Sequence, residues 1–411
     1  MKTFEEKLEQ YAELVVKIGL NIQEGQRLLI MSPLEAKDFT RKVMKYAYEN
    51  GCKHVFVNWH DSETSRVHLE QAPEETLKNN LQQWDIDKFN SLVENNDALL
   101  NITGDDPSAF TGVSPERLMW VQKDKGEKLE TFSKAQLNGD THWAIAGVPT
   151  AGWAKSVFPE KSEEEAIESL WEAIFQTVRI DQEDPVKAWE DHVKSLTEKV
   201  DYLNEKHFKS LHYRSEGTDL KIDLHPDHLW IGGGHTSTFG TSYIPNLPTE
   251  EVFTTPHKNG VNGTVSSKKP LSAMGNIIDN FSLTFEDGKV VDFSAEKGYE
   301  TLEQLLNIDE GMKFLGEVAL VPYDSPISNS GIIFNNTLYD ENAACHLAIG
   351  TSITMSVKDV GHLKKEELEE IGVNQSRGHI DFMIGSADLD ITAETNEGET
   401  IQLFKDGNWA I

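Results

Sequence analysis

Arg27-Leu28-Leu29-Ile30-Met31 and His54-Val55-Phe56-Val57-Asn58-Trp59 are two short apolar runs rich in branched and aromatic side chains. Between them, residues 35–49 carry Phe39, Val43, Tyr46 and Ala47 on one side of a helical pattern. Asn50-Gly51 ends that pattern, as a glycine beyond a helix end does. Strand, helix, strand is the unit of a parallel sheet, and its crossover is expected to be right-handed.

Outward from this unit, Phe4, Leu8, Tyr11, Val15 and Ile18 recur at helical spacing over residues 3–20. A helix is expected over residues 75–95, then strands at Ala98-Leu99-Leu100-Asn101-Ile102 and His142-Trp143-Ala144-Ile145-Ala146. The first half therefore reads as an α/β domain with a parallel sheet. It contains neither G-x-G-x-x-G nor G-x-x-x-x-G-K-[ST], so nucleotide binding is not supported. Asp105-Asp106 before Pro107 reads as a turn or helix cap. An acidic helix over residues 162–179 and a longer one after Glu183-Asp184-Pro185 place the boundary there. The expected domains are 1–185, α/β, and 186–411, carrying the metal site.

Beyond residue 208 the pattern shifts to short strands and turns. Leu211-His212-Tyr213-Arg214 and Leu220-Lys221-Ile222-Asp223-Leu224 are strands, and Gly260, Gly263, Gly275 and Gly288 mark turns. Phe281–Phe285, Asp287-Gly288 and Val290–Phe293 make a hairpin signal. A helix near residues 299–307 interrupts, and Val318–Val321 and Ile332–Phe334 resume strand. The second domain is expected to be α+β, with a mixed, mostly antiparallel sheet.

With 411 residues, 69 acids against 38 bases and a net charge of −31, the chain is repelled by nucleic acid and anionic membranes. Its two cysteines, Cys52 and Cys345, are too few for a disulfide framework. The amino terminus lacks the layout of a signal peptide, and no run is long enough to span a membrane. A cytoplasmic location is the expectation, with no nucleic-acid or membrane partner.

Four patches of the second half carry chemistry. His379 and Asp381 are two residues apart in an apolar frame, so on a strand they share a face. A metal ion or a plain His–Asp hydrogen bond would satisfy them equally, and burial without either is costly. Glu341 and His346 flank Asn-Ala-Ala-Cys, Glu317 opens the strand Val-Ala-Leu-Val, and Glu250-Glu251 precedes Val-Phe-Thr-Thr. Singly, each has a bland reading: a core histidine, an acid at a strand mouth, a solvated pair. Together, imidazoles and carboxylates suit Zn²⁺, Co²⁺, Mn²⁺ or Mg²⁺ rather than a thiolate site.

At Pro248-Thr-Glu-Glu-Val-Phe-Thr, Leu315-Gly-Glu-Val-Ala-Leu-Val-Pro, Asp340-Glu-Asn-Ala-Ala-Cys-His-Leu-Ala-Ile-Gly and His379-Ile-Asp-Phe-Met-Ile-Gly the chain resembles the M29 metalloaminopeptidases. The likeness covers nearly the whole chain. It implies a two-metal aminopeptidase that removes the N-terminal residue of peptides, and a homodimer. The implied ligands are Glu251, Glu317, His346, His379 and Asp381, with Glu341 added; Glu251 is chosen over Glu250 by its spacing to Glu317. Glu317 or its neighbour would be the general base. One departure stands out: the family has a tyrosine seven residues after the first ligand histidine, where this chain has Ile353. An apolar side chain cannot donate a hydrogen bond to a developing oxyanion. A weakly active or inactive homologue that binds peptide or metal is therefore the alternative, and a binding module with a structural partner domain is the third.

Overall fold

The structure, a computed structural model, describes residues 2–137, 139–273 and 276–411, so the turn expected at Gly275 lies outside the described residues. The chain forms two compact units. The first comprises residues 1–191, 234–248 and 333–338, and the second 192–233, 249–332 and 339–411. The change of unit at Asp191 falls inside one continuous helix, Pro185–Lys206.

The first unit is built on a five-stranded parallel sheet in the order Asn246–Leu247, His142–Gly147, Ala98–Thr103, Arg27–Pro33, His54–His60. Leu28, Leu29, Ile30, Leu99 and Leu100 are buried on both faces of its central strands. Helix starts are chemically marked. Thr3 and Ser162 each form a capping box, with Glu6 and Glu165, ahead of Phe4–Leu14 and Glu163–Thr177. The segment expected as one helix over 75–95 is two, Glu74–Leu77 and Gln83–Glu94. Helices Ser62–Gln71 and Pro115–Lys128 escaped the sequence because each buries one residue, Leu69 and Asp124, and so carries little apolar periodicity. Asp106 behaves as a turn residue, accepting the Ser108 N–H at 2.8 Å.

The second unit stacks two antiparallel sheets. The larger contains Ser210–Ser215, Thr218–Leu224, Pro256–Ser266, Asn276–Glu286, Lys289–Lys297, Asp390–Glu394 and Thr400–Lys405. Its expected hairpin is present: Asp287 and Gly288 take φ 45° and 85°, the left-handed pair that matches strand twist. The smaller sheet runs His379–Met383, His346–Gly350, Leu315–Leu320, Val252–Thr254, Ile231–Gly232, every pairing antiparallel. Leu220, Ile222, Val261 and Leu283 from one sheet share a core with Val318, Leu320, Leu347, Ile349 and Phe382 from the other.

Ile332–Phe334 is not a strand. It is irregular, with Ile333 exposed, and Ile333–Leu338 belongs to the first unit. Three apolar residues there gave the period of a strand without a partner to pair with. Among the described residues, no helix is long and apolar enough to cross a membrane.

Candidate metal centre

The smaller sheet spends its two faces differently. Val318, Leu320, Leu347, Ile349 and Phe382 point into the core. Their neighbours in each strand point the other way, because side chains alternate across a sheet. In the cross-strand register Glu317 lies opposite Ala348, and Ala348 opposite Asp381. Ala319 pairs with His346, and Gly350 with His379. One face thus presents Glu317, His346, His379 and Asp381, separated by Ala319, Ala348 and Gly350. The small residues leave the space in which the four polar side chains meet.

A bulge sharpens this placement. The register shifts between Leu315 and Glu317, so Gly316 is the extra residue. A Cβ at Gly316 would collide with the carbonyl oxygens of Thr351 and Gly350. Only glycine permits that approach, and the bulge re-aims Glu317 at its start. Glu251 enters from the residue before Val252–Thr254, which pairs with the Glu317 strand.

The result is two groups of three: Glu251, Glu317 and His346, and Glu317, His379 and Asp381. In each, one donor atom per residue lies within 4.8 Å of the others. Glu317 belongs to both. Its Oε1 is 4.0 Å from His346 Nε2 and its Oε2 is 3.0 Å from His379 Nε2. Glu251 Oε2 lies 3.3 Å from His346 Nε2, and Asp381 Oδ1 3.3 Å from His379 Nε2.

Both imidazoles are held from behind. His379 Nδ1 lies 2.8 Å from the Thr351 carbonyl and His346 Nδ1 3.3 Å from the Ala344 carbonyl. A carbonyl only accepts, so each Nδ1 carries a proton and each Nε2 faces the carboxylates, donating to them as an imidazolium and offering its lone pair only where a cation would replace that proton. This is how histidine ligands are oriented in metal sites.

Charge gives a second test of fit. Burial raises the Glu317 carboxyl, and the Asp381 and Glu251 charges add to that, against the His379 bond that lowers it. Burial, with the charges of Glu251 and Asp381, holds Glu341 well above the usual carboxylate range. For the histidines burial acts to lower the pKa, but Glu251 overrides it at His346, raised to about 10, and Asp381 and Glu317 at His379, raised to about 11. Burial acts to raise Asp381, but the His379 bond together with the charges of His379 and His346 lowers it. Four carboxyl groups around two imidazoles balance their charge with protons or with divalent cations, and the donor set fits the second. Cys345 is not a competing ligand. Burial pushes its thiol up to about 12, and its Sγ–H donates to the Val321 carbonyl.

Each residue singled out in the sequence thus has a place. Five of the six converge through the two groups, and Glu341 lies where their charges act on it. The glutamate pair is not a solvated one. Glu250 is 4% exposed and turns its Oε2 to His192 Nε2 at 3.5 Å, whereas Glu251 faces His346. Sequence reasoning missed the roles of Gly316, Ala348, Gly350 and the Thr351 carbonyl. Gly-Glu at the head of an apolar strand was the one visible signal, since it is the signature of a bulge.

An antiparallel sheet with an apolar core face, and with histidine and carboxylate donors on the other, defines a candidate site for divalent metal ions. The chain belongs to the thermophilic metalloprotease (M29) family, whose model matches residues 4–409. It is 46% identical over 410 residues to Aminopeptidase AmpS of Bacillus subtilis, covering 100% of both chains. It is 48% identical to Aminopeptidase 2 of Geobacillus stearothermophilus, covering 100% of this chain and 99% of that one. It also superposes on wild-type AmpT from Thermus thermophilus with a TM-score of 0.93 at 39% identity, each chain covered in full.

Proposed function

We propose that this metalloprotease is an aminopeptidase that removes the N-terminal residue of peptides with a water activated at two divalent ions. The observation that carries the proposal is the sharing of Glu317 between two donor groups. Glu251, Glu317 and His346 would hold one ion, Glu317, His379 and Asp381 the other, and Glu341 would complete the set. Divalent ions held there would supply Lewis acidity to the scissile carbonyl and would acidify the attacking water. Glu317 or its neighbour would take the proton from that water in this scheme. The Nδ1 contacts keep both imidazoles from rotating while the proton moves. The relatives' names, aminopeptidases in each case, support the substrate class.

The test is metal content together with hydrolysis of amino-acid p-nitroanilides after addition of Co²⁺, Zn²⁺, Mn²⁺ or Mg²⁺. Two ions per chain are expected, with cleavage of free but not N-acetylated substrates. No hydrolysis with any metal at high enzyme concentration overturns the proposal. A cytoplasmic homodimer is the form proposed for the enzyme, and light scattering of the purified chain checks the dimer.

A second proposal, a weakly active homologue, rests on Ile353. It precedes the short helical turn Thr354–Ser356, and its carbonyl accepts the Ser356 hydroxyl at 2.7 Å. Its side chain offers no donor. Ile353→Tyr separates the two proposals. A rise in turnover of roughly 10²-fold says that the missing donor limits the wild type, and no change beside robust wild-type activity removes this second proposal.

A further inference from the structure

Asn342 is fully buried in the turn Glu341–Ala343. Its Oδ1 accepts the Glu250 N–H at 2.8 Å across 92 residues of chain. That contact fixes the amide, since an N–H can be met only by the oxygen, and it turns Nδ2 toward Glu341 Oε1 at 3.5 Å. One side chain therefore spans the backbone of the Glu250-Glu251 pair and the carboxyl of Glu341. The pair is held on its other side as well: His192 Nε2 lies 2.8 Å from the Thr249 carbonyl and 3.5 Å from Glu250 Oε2. The turn bearing Asn342 is tied down by the Ser325 hydroxyl, which donates to the Ala343 carbonyl at 3.1 Å. The two glutamates of the pair thus diverge at a fixed point, one toward His192 and one toward His346.

We infer that Asn342 is a positioning residue that sets the separation of Glu251 and Glu341, and so governs the affinity of the Glu251–Glu317–His346 ion without governing that of the Glu317–His379–Asp381 ion. The inference rests on the two-metal proposal above. Asn342 acts through the ligands and touches no reacting atom. Its asymmetry follows from placement: Asn342 holds the Glu250 N–H, next in the chain to Glu251, whereas His379 and Asp381 share a strand and are set by its register.

The test is titration of the chelator-stripped full chain with Co²⁺ or Zn²⁺ against a chromophoric chelator, following the Co²⁺ visible spectrum. Asn342→Asp keeps an oxygen for the Glu250 N–H but sets a second carboxylate against Glu341. Asn342→Ser keeps a small acceptor, adds no charge, and serves if the aspartate variant does not fold. In both, one of two binding steps is expected to weaken by about 10–100-fold, the size seen when a group behind a ligand is lost. The other step keeps its wild-type Kd and its spectrum. A merely structural role would lower the Tm of the stripped chain and leave both steps alone. Two ions bound with wild-type Kd in either folded variant, or equal weakening of both, overturns the inference while the two-metal proposal stands. Wild-type chain that takes up fewer than two ions overturns both.

Discussion

The parallel sheet of the first unit and the smaller antiparallel sheet of the second are both buried, but they use their burial differently. Leu28, Leu29, Ile30, Leu99 and Leu100 make the first apolar on both faces. In the second, one face is as apolar as that, and the other carries Glu317, His346, His379 and Asp381 over Ala319, Ala348 and Gly350. An apolar face stabilises by area removed from water. A buried polar face costs free energy unless each charge finds a partner. The first sheet is therefore a scaffold whose strength is independent of ions, and the second is stable in proportion to what neutralises it.

The sharpest way to break this comparison is Glu317→Gln. It removes the carboxylate shared by both donor groups, which is also a proposed proton acceptor. Turnover of p-nitroanilide substrates is expected to fall by roughly 10²–10⁴-fold, with less metal retained on dialysis. Retention of two ions and of turnover would show that the sharing has no function.

Leu100→Ala probes the other sheet. Truncating a fully buried leucine costs about 2–5 kcal/mol. Urea unfolding should show that loss, while the metal content of the folded protein stays unchanged. Metal loss in step with stability would mean that the scaffold is not independent of the site.

Chelation gives a smaller effect, confined to one sheet. Saturating ion at about 100 times Kd stabilises by about 2.7 kcal/mol per site. Stripping the protein should therefore lower Tm. Hydrogen exchange should speed up in Leu315–Leu320 and His379–Met383 and stay unchanged in Ala98–Thr103.

The smallest effect is the pH dependence of the stripped protein. His346 and His379 are raised to about 10 and about 11, so the stability they contribute is present below the unfolded value of about 6.5 and lost as pH rises through 10–11. The raised carboxyls of Glu317 and Glu341 act in the same direction, and lowered Asp381 opposes them. The stripped protein should thus be less stable at pH 9 than at pH 7 in thermal melts, and the metal-loaded protein should not follow it, since ions there compete with protons. A stripped protein that gains stability with pH would contradict the charge balance drawn for the site.

Much of this was legible in the chain itself. Periodicity gave the strand–helix–strand opening, Asp287-Gly288 gave the hairpin, and the types of residue at Glu317, His346, His379 and Asp381 gave the donor chemistry. Local patterns succeed there because they report local physics: which side chains share a face, which residues accept a left-handed turn. They failed at Ile332–Phe334, where apolar content has no strand to pair with, and at Ser62–Gln71, where a helix buries almost nothing.

Only the tertiary structure decided the rest. Whether Glu250 or Glu251 faces the histidines depends on a neighbour at position 192 and another at 346, which no spacing encodes. The sharing of Glu317 depends on a bulge at Gly316 and on an alanine one strand away. Residue types determined which ligands the protein can bind. Strand register across four distant segments determined that they meet, because distance between side chains is set by pairing and not by position in the chain.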